Sequence, residues 1–317
     1  MADKATVDKV TPEIERLLPE ELEIEWLGSG YGGFNPDGRL RGVAEGPMWV
    51  DEGGYLLFDD NANGDRWKWS PTEGISLHHG DTGNANGLAR DIQGRLYSAC
   101  HETRQVTRQE LDGSITVVCN NYRGQRFNRP NDIVVRSDGA IYFTDPITLG
   151  VKSELDYAGV YRVSPDLGEL NCMVWDFALP NGLCFSPDEK ILYVNDSQRA
   201  HIRAFGIDTM FGSGYLNLGT DRIFHEGMRN PDRPGGPDGM KVDVEGNVWS
   251  TGPGGIWVID PNGKHLGSII LGNGIHATNF AFGGDDMKDI FITTFDKMAV
   301  LRKAKIAGLS ATPGAGL

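Results

Sequence analysis

An all-β chain is what three features of these 317 residues predict. Short runs of Val, Ile, Leu, Tyr, Phe and Trp, many alternating with polar residues, have the length and period of strands. The 43 glycines and 16 prolines are scattered between those runs, where tight turns need them, and form no low-complexity block. The third feature is repetition. A polar residue, a small apolar run, an Asp/Gly-rich turn and an aromatic or aliphatic strand recur six times, roughly 40 to 55 residues apart, the length of one propeller blade. Six copies in one domain predict a six-bladed β-propeller.

The elements follow in order. Residues 1–41 stand outside the repeat: MADKATVDKVTPEIERLLPEEL is acidic and helix-like, and WLGSGYGGFNPDGRLRG after it is a glycine-rich loop, so an N-terminal arm is expected. The G-x-G-x-x-G at Gly28 to Gly33 is read as part of that loop, because no βαβ unit follows it. The propeller occupies 42–317. Its copies are EGPMWVDEGGYLLFDD from Glu45, NGLARDIQGRLYSACHE from Asn86, RPNDIVVRSDGAIYFTD from Arg129, NGLCFSPDEKILYVNDS from Asn181, DGMKVDVEGNVWSTG from Asp238 and NFAFGGDDMKDIFITT from Asn279. Hairpin turns lie inside the copies, at Gln93-Gly94, Asp138-Gly139 and Glu245-Gly246 among others. Runs such as GVYRVSP, IRAFGID and GIWVIDPNGK supply the remaining strands.

A net charge of −14, with no basic cluster, argues against nucleic acid or an anionic membrane as partner and leaves a cation or a small molecule. No apolar run is long enough to span a bilayer, and the start lacks a signal peptide's apolar core. The four cysteines show no C-x-x-C spacing and are expected as free thiols, which suits a cytoplasmic protein.

Aligned on their second strands, the six copies carry Glu45, Asn86, Asn131, Asn181, Asp238 and Asn279 at one equivalent position. Propeller blades are related by rotation about a central channel, so these residues should converge at one mouth of it. Asn-Gly and Asp-Gly are common turn dipeptides, and for one copy alone turn chemistry would be the simpler reading. Glu is a poor turn residue, however, and the hairpin turns lie later in each copy. An all-oxygen ring with two carboxylates suits one hard divalent cation: Ca²⁺ first, with Mg²⁺, Mn²⁺ or Zn²⁺ as alternatives.

At these residues the chain resembles the gluconolactonase and regucalcin (senescence-marker protein) family of six-bladed propeller lactonases. The resemblance rests on E-G-P-x-W at Glu45 to Trp49, R-P-N-D at Arg129 to Asp132, F-T-D-P at Phe143 to Pro146 and P-N-G-L at Pro180 to Leu183. It continues through G-G-P-D-G at Gly235 to Gly239 and T-N-x-A-F-G-G at Thr278 to Gly284. It implies a metal held by Glu45, Asn181 and Asp238, with Asn131 as a further ligand or substrate contact and Arg129 binding substrate. The segment GRLYSACHETRQVTR is similar to bacterial gluconolactonases and marks His101 as an active-site residue. Asn86, itself a ring position, together with Asp145 of F-T-D-P and His276 just before Asn279, completes the expected substrate contacts. Departures from the family fall at Ile147-Thr148-Leu149-Gly150, at Glu102 and in the glycine-rich segment, and set the usual sugar lactone in question.

The implied chemistry is hydrolysis of a lactone to its hydroxy acid by metal-activated water, with Asp238 as general base and Arg129, Asn131 and His101 orienting the substrate. Two alternatives use the same scaffold: a phosphotriesterase of the diisopropyl-fluorophosphatase type, and a non-catalytic Ca²⁺-binding propeller. No G-x-S-x-G, H-E-x-x-H or P-loop is present. His78, His79, His201, His225 and His265 have no carboxylate partner at motif spacing and are expected in solvated or core roles.

Overall fold

The computed structural model describes residues 3–148, 150–208, 214–272 and 274–314. Strands dominate it, with 3-10 turns at Pro12–Arg16 and Asp51–Gly53. Four antiparallel four-stranded sheets begin at Ala44–Val50, Ala85–Arg90, Ile133–Val135 and Pro180–Phe185, each running outward strand by strand in chain order. A nine-stranded sheet holds the rest: Met240–Val242 opens a four-strand run, and Ala277–Gly283 opens a three-strand run at the opposite edge. The six opening strands pack side by side in a closed circuit, Ala44–Val50 against Ala85–Arg90 and so on round to Ala277–Gly283, which returns to Ala44–Val50.

The N-terminal arm is corrected. Asp3–Lys9 and Glu21–Ser29 are strands that join the two halves of the nine-stranded sheet, pairing with His265–Ile270 and with Lys297–Leu301 respectively. The reason is local. Prolines 12 and 19 confine the helix-like stretch to one 3-10 turn. ELEIEW beyond it alternates, with Leu22 and Ile24 buried between exposed glutamates, which is a strand's period. The first residues of the chain thereby fasten its last strands.

Aspartates close the turns. Asp91 Oδ1 accepts from the Gln93 and Arg95 N–H groups at 3.0 Å each, and Asp243 Oδ1 accepts from Glu245 and Asn247 at 3.0 and 2.9 Å. The short carboxylate replaces a backbone acceptor, and the glycine that follows takes φ of +85° at both Gly94 and Gly246. Aromatic side chains then glue sheet to sheet. Trp49 stacks on Phe291 with centroids 5.2 Å apart, and Phe127 meets both Phe143 and Tyr161 edge-on. Such pairs contribute about 0.5–1.5 kcal/mol each beyond the area they bury. The four cysteines are free. No described helix is long and apolar enough to cross a membrane.

Candidate active site at the mouth of the strand circuit

The polar residue that opens each strand is followed, in four of six cases, by glycine, and the neighbouring strand explains why. A Cβ on Gly46 would collide with the Asn86 carbonyl, one on Gly182 with the Asp238 carbonyl, and one on Gly239 with the Asn279 amide. On Gly87 it would lie 2.7 Å from the Asn131 carbonyl. These dipeptides therefore sit at the strand starts as close-approach points between neighbours, not as reverse turns.

Hydrogen bonds complete the ring. Asn279 Nδ2 donates to Glu45 Oε2 at 3.0 Å, and Asn86 Nδ2 donates to the Asn131 carbonyl at 3.2 Å. Asn131 N donates to the Thr144 carbonyl, and Thr144 Oγ1 donates to the Asn181 carbonyl, both at 2.8 Å, which ties the third strand to the fourth. The Asn181 side chain in turn hydrogen-bonds the Asp238 carboxyl. All six expected residues are thus brought together.

The ring is electrostatically tense. Burial, opposed in part by hydrogen bonds from Gly46 N and Asn279, pushes Glu45 up to about 7, with the Asp132 charge adding to it. Burial likewise holds Asp238 well above the usual carboxylate range, and Glu45 and Asp132 push in the same direction. Neither carboxylate has a Lys or Arg within salt-bridge distance among the described residues; Lys241 donates to Asn279 Oδ1 at 3.1 Å, and its charge offsets part of the shift at Glu45. Asp132 Oδ2 is buried without a partner. No cluster of three or more His, Cys, Asp or Glu forms among the described residues; the ring offers two carboxylates completed by carboxamides. Two desolvated carboxylates facing each other in an all-oxygen set fit a hard divalent cation by donor chemistry and by charge.

Three expected contacts have protein partners of their own. Asp145 is fully buried, and its two oxygens accept from the backbone N–H groups of Asn128 and Arg129 at 2.8 and 2.7 Å. It holds the Arg129 loop, and burial pushes it up to about 7. Asn86 is buried as well, receiving Asn61 Nδ2 at 2.7 Å while it donates to Asn131, so it orients a ring member. His276 is half-buried and lies against Phe295, centroids 4.3 Å apart, and Phe295 meets the exposed Phe34 of the glycine-rich segment at 5.6 Å. That segment, hydrogen-bonded to the backbone of Phe295 and Asp296, forms an aromatic flank.

The other flank is basic. The turn after strand Leu96–Cys100 is pinned by His101 N to the Asn84 carbonyl and Glu102 N to the Gly83 carbonyl, at 3.0 and 3.1 Å. Both ring nitrogens of His101 are buried and unpartnered. Burial and the nearby Arg129 charge push its pKa down to about 3, so the imidazole is neutral at ordinary pH. Sequence reasoning missed Asp132, Lys241, Phe295 and Arg104; Asp132, inside R-P-N-D, and Arg104, inside GRLYSACHETRQVTR, were within reach, whereas Lys241 and Phe295 lie in no quoted motif.

Residues 43–296 match the model of the SMP-30/gluconolactonase/LRE-like region, and the chain belongs to that family. It is similar to a gluconolactonase of Zymomonas mobilis, 33% identical over 88% of this chain and 82% of that one. Among solved structures it is similar to a gluconolactonase from Xanthomonas campestris, with a TM-score of 0.78, 31% identity and 95% of each chain covered. It shares its fold with a calcium-binding protein, regucalcin, from Agrobacterium tumefaciens, with a TM-score of 0.71, 19% identity, and coverage of 91% of this chain and 97% of that one.

Proposed function

We propose that the protein is a lactonase: a six-bladed propeller hydrolase that opens a cyclic ester to its hydroxy acid with the aid of one divalent cation, Ca²⁺ first among candidates. The observation that carries this reading is the ring itself, where two desolvated carboxylates, Glu45 and Asp238, face one mouth with no protein cation in salt-bridge contact among the described residues. Family membership and the gluconolactonase relatives support the reaction class. Glu45, Asn131, Asn181 and Asp238 would hold the cation, which when bound supplies Lewis acidity toward the ester carbonyl.

The chain's own groups do the remainder. Asp238, whose carboxyl is held above its ordinary range, accepts a proton from water as the water oxygen adds to the lactone carbonyl carbon. When the ring C–O bond breaks, that proton goes to the departing alkoxide, and the hydroxy acid is complete. Arg129, positioned by Asp145, and Asn131, positioned by Asn86, orient the substrate's polar groups. His101, neutral and with both nitrogens free, serves as a hydrogen-bond partner for substrate. The four free thiols fit a cytoplasmic setting.

Chelation tests the core of this proposal. Metal-free protein is expected to lose hydrolysis of sugar, aliphatic and aromatic lactones, and added Ca²⁺, Mn²⁺, Mg²⁺ or Zn²⁺ to restore it to different extents. Full turnover by demonstrably metal-free protein would remove the cation from the reaction. Hydrolysis of a phosphotriester in preference to every lactone would move the protein to the phosphotriesterase reading.

A further inference from the structure

The basic flank of the mouth is built to receive negative charge. Arg129 is half-buried, and burial pulls its pKa down; the exposed Glu102 opposes that shift, and the charge of Arg104 adds a smaller push in the same direction as burial. Its guanidinium has neither a hydrogen bond nor an ion pair with any described residue. Arg104 bridges two loops: its Nη2 donates to the Lys152 carbonyl at 2.8 Å, and its Nη1 is buried with no partner. Beside them stand the two unpartnered nitrogens of His101. Buried N–H donors without acceptors are rare in folded proteins, and the charged Arg104 Nη1, with the neutral His101 ring and the unpaired Arg129 guanidinium nearby, calls for an acceptor from outside.

The local acids do not fill that role. Glu154 is engaged by Arg126, accepting its backbone N–H and its Nε at 2.8 Å each. Both oxygens of Asp145 are taken by backbone donors. Glu102 is exposed and makes no salt bridge to either arginine, so solvent screens it. A chain with a net charge of −14 thus gathers two arginines with open donors beside its ring. A polyhydroxylated neutral ring would satisfy hydrogen bonds there but would leave the charges unmatched.

We infer that the preferred substrate is a lactone bearing an anionic substituent, a carboxylate in the first instance, received by Arg104 and Arg129 while the ester lies at the ring. This deepens the lactonase reading and rests on it. Arg104 is the specificity-determining residue, because its open Nη1 has no other use in the fold.

The test compares a γ-lactone carrying a ring carboxylate with its primary amide, on Ca²⁺-loaded protein. The acid is expected to exceed the amide by roughly 10- to 100-fold in kcat/KM, the range of a charge-assisted hydrogen bond. The preference should shrink as NaCl is raised. Arg104→Met should collapse the ratio through KM, and Arg104→Lys, which keeps the charge but not the fork, should leave it intermediate. Arg126→Met removes the same charge from a residue already tied to Glu154, and should leave the ratio within about two-fold. Calorimetric binding of the acid's open-chain product gives a readout free of turnover, and Arg104→Met should weaken it by about tenfold. Equal turnover of acid and amide would overturn the anionic substrate and leave the lactonase standing. If neither lactone is hydrolysed, the lactonase reading fails, and the binding arm still decides the anion site: equal affinity in wild type and Arg104→Met overturns it.

Discussion

At one end of the strand circuit six neighbouring strands present Glu45, Asn86, Asn131, Asn181, Asp238 and Asn279. Two to four residues further along, the same strands present Met48, Leu88, Val135, Leu183, Val242 and Phe282 around a cavity of about 300 Å³, lined also by Leu309 to Gly314. The backbone is continuous between the two ends, and only the side chains change. At the polar end burial works against the fold, because two carboxylates are desolvated near each other. At the apolar end burial is the driving force, at about 25 cal/mol per Å². One end is kept for chemistry and the other for stability, and the difference can be broken from either side.

The largest effect is expected from Asp238→Asn. The carboxamide keeps an oxygen donor but cannot accept the proton, so kcat should fall by roughly 10²–10⁴-fold. Measured at saturating Ca²⁺ with occupancy checked by elemental analysis, a loaded variant within a few-fold of wild-type kcat would remove Asp238 as the base. His101 would not replace it readily: with its pKa near 3 the ring is neutral through the working range. His101→Gln should therefore leave no limb of the pH–rate profile near 6.5 to be lost.

At the other end, Phe282→Ala should cost about 3–5 kcal/mol of stability. Phe282 is 3% exposed and meets Trp249 edge-on at 5.2 Å. Thermal unfolding should show the loss, while kcat at 25 °C stays within a few-fold. A collapse of kcat in protein still folded by circular dichroism would mean that the two ends are not independent.

A pH experiment sharpens the comparison. Glu45 has a folded pKa raised from 4.5 to about 7, so the native state binds more protons than the unfolded chain between those values. Metal-free stability should then fall as pH rises from about 4.5 to 7, by on the order of 3 kcal/mol from this group alone. Added Ca²⁺ should restore it at pH 8 and do little at pH 5. A chelated protein as stable at pH 8 as at pH 5 would contradict this placement of Glu45.

The smallest effect separates members of the ring. Glu45→Ala should weaken Ca²⁺ binding strongly, whereas Asn86→Ala removes only a neutral support of Asn131 and should weaken it by about tenfold or less. Isothermal titration of both variants makes the comparison. Equal losses would mean that Asn86 acts on the cation directly.

Much of this molecule is written locally. A strand's period of two and the Asp-Gly turns depend on neighbours in sequence, so the strands, their repetition and the six ring positions follow from the chain alone. Even the strand in the N-terminal arm is legible in ELEIEW, whose alternation is a strand's period despite the helix-like residues before it. The motifs around Glu45, Arg129, Asn181 and Asp238 were enough to indicate the family.

What the tertiary structure decided is the direction each polar group faces. Asp145 and Asn86 have the same chemistry as Asp238 and Asn131, and sequence could not tell which partners each of them takes. That is set by partners far along the chain: Asn128 and Arg129 for Asp145, and Asn61 and Asn131 for Asn86. The pairing of Glu45 with Asn279 joins residues 234 apart. Likewise Arg104 comes near enough to Arg129 to act on its charge because two loops from adjacent sheets converge. Hydrogen-bond satisfaction is a property of the closed circuit, and no local pattern encodes it.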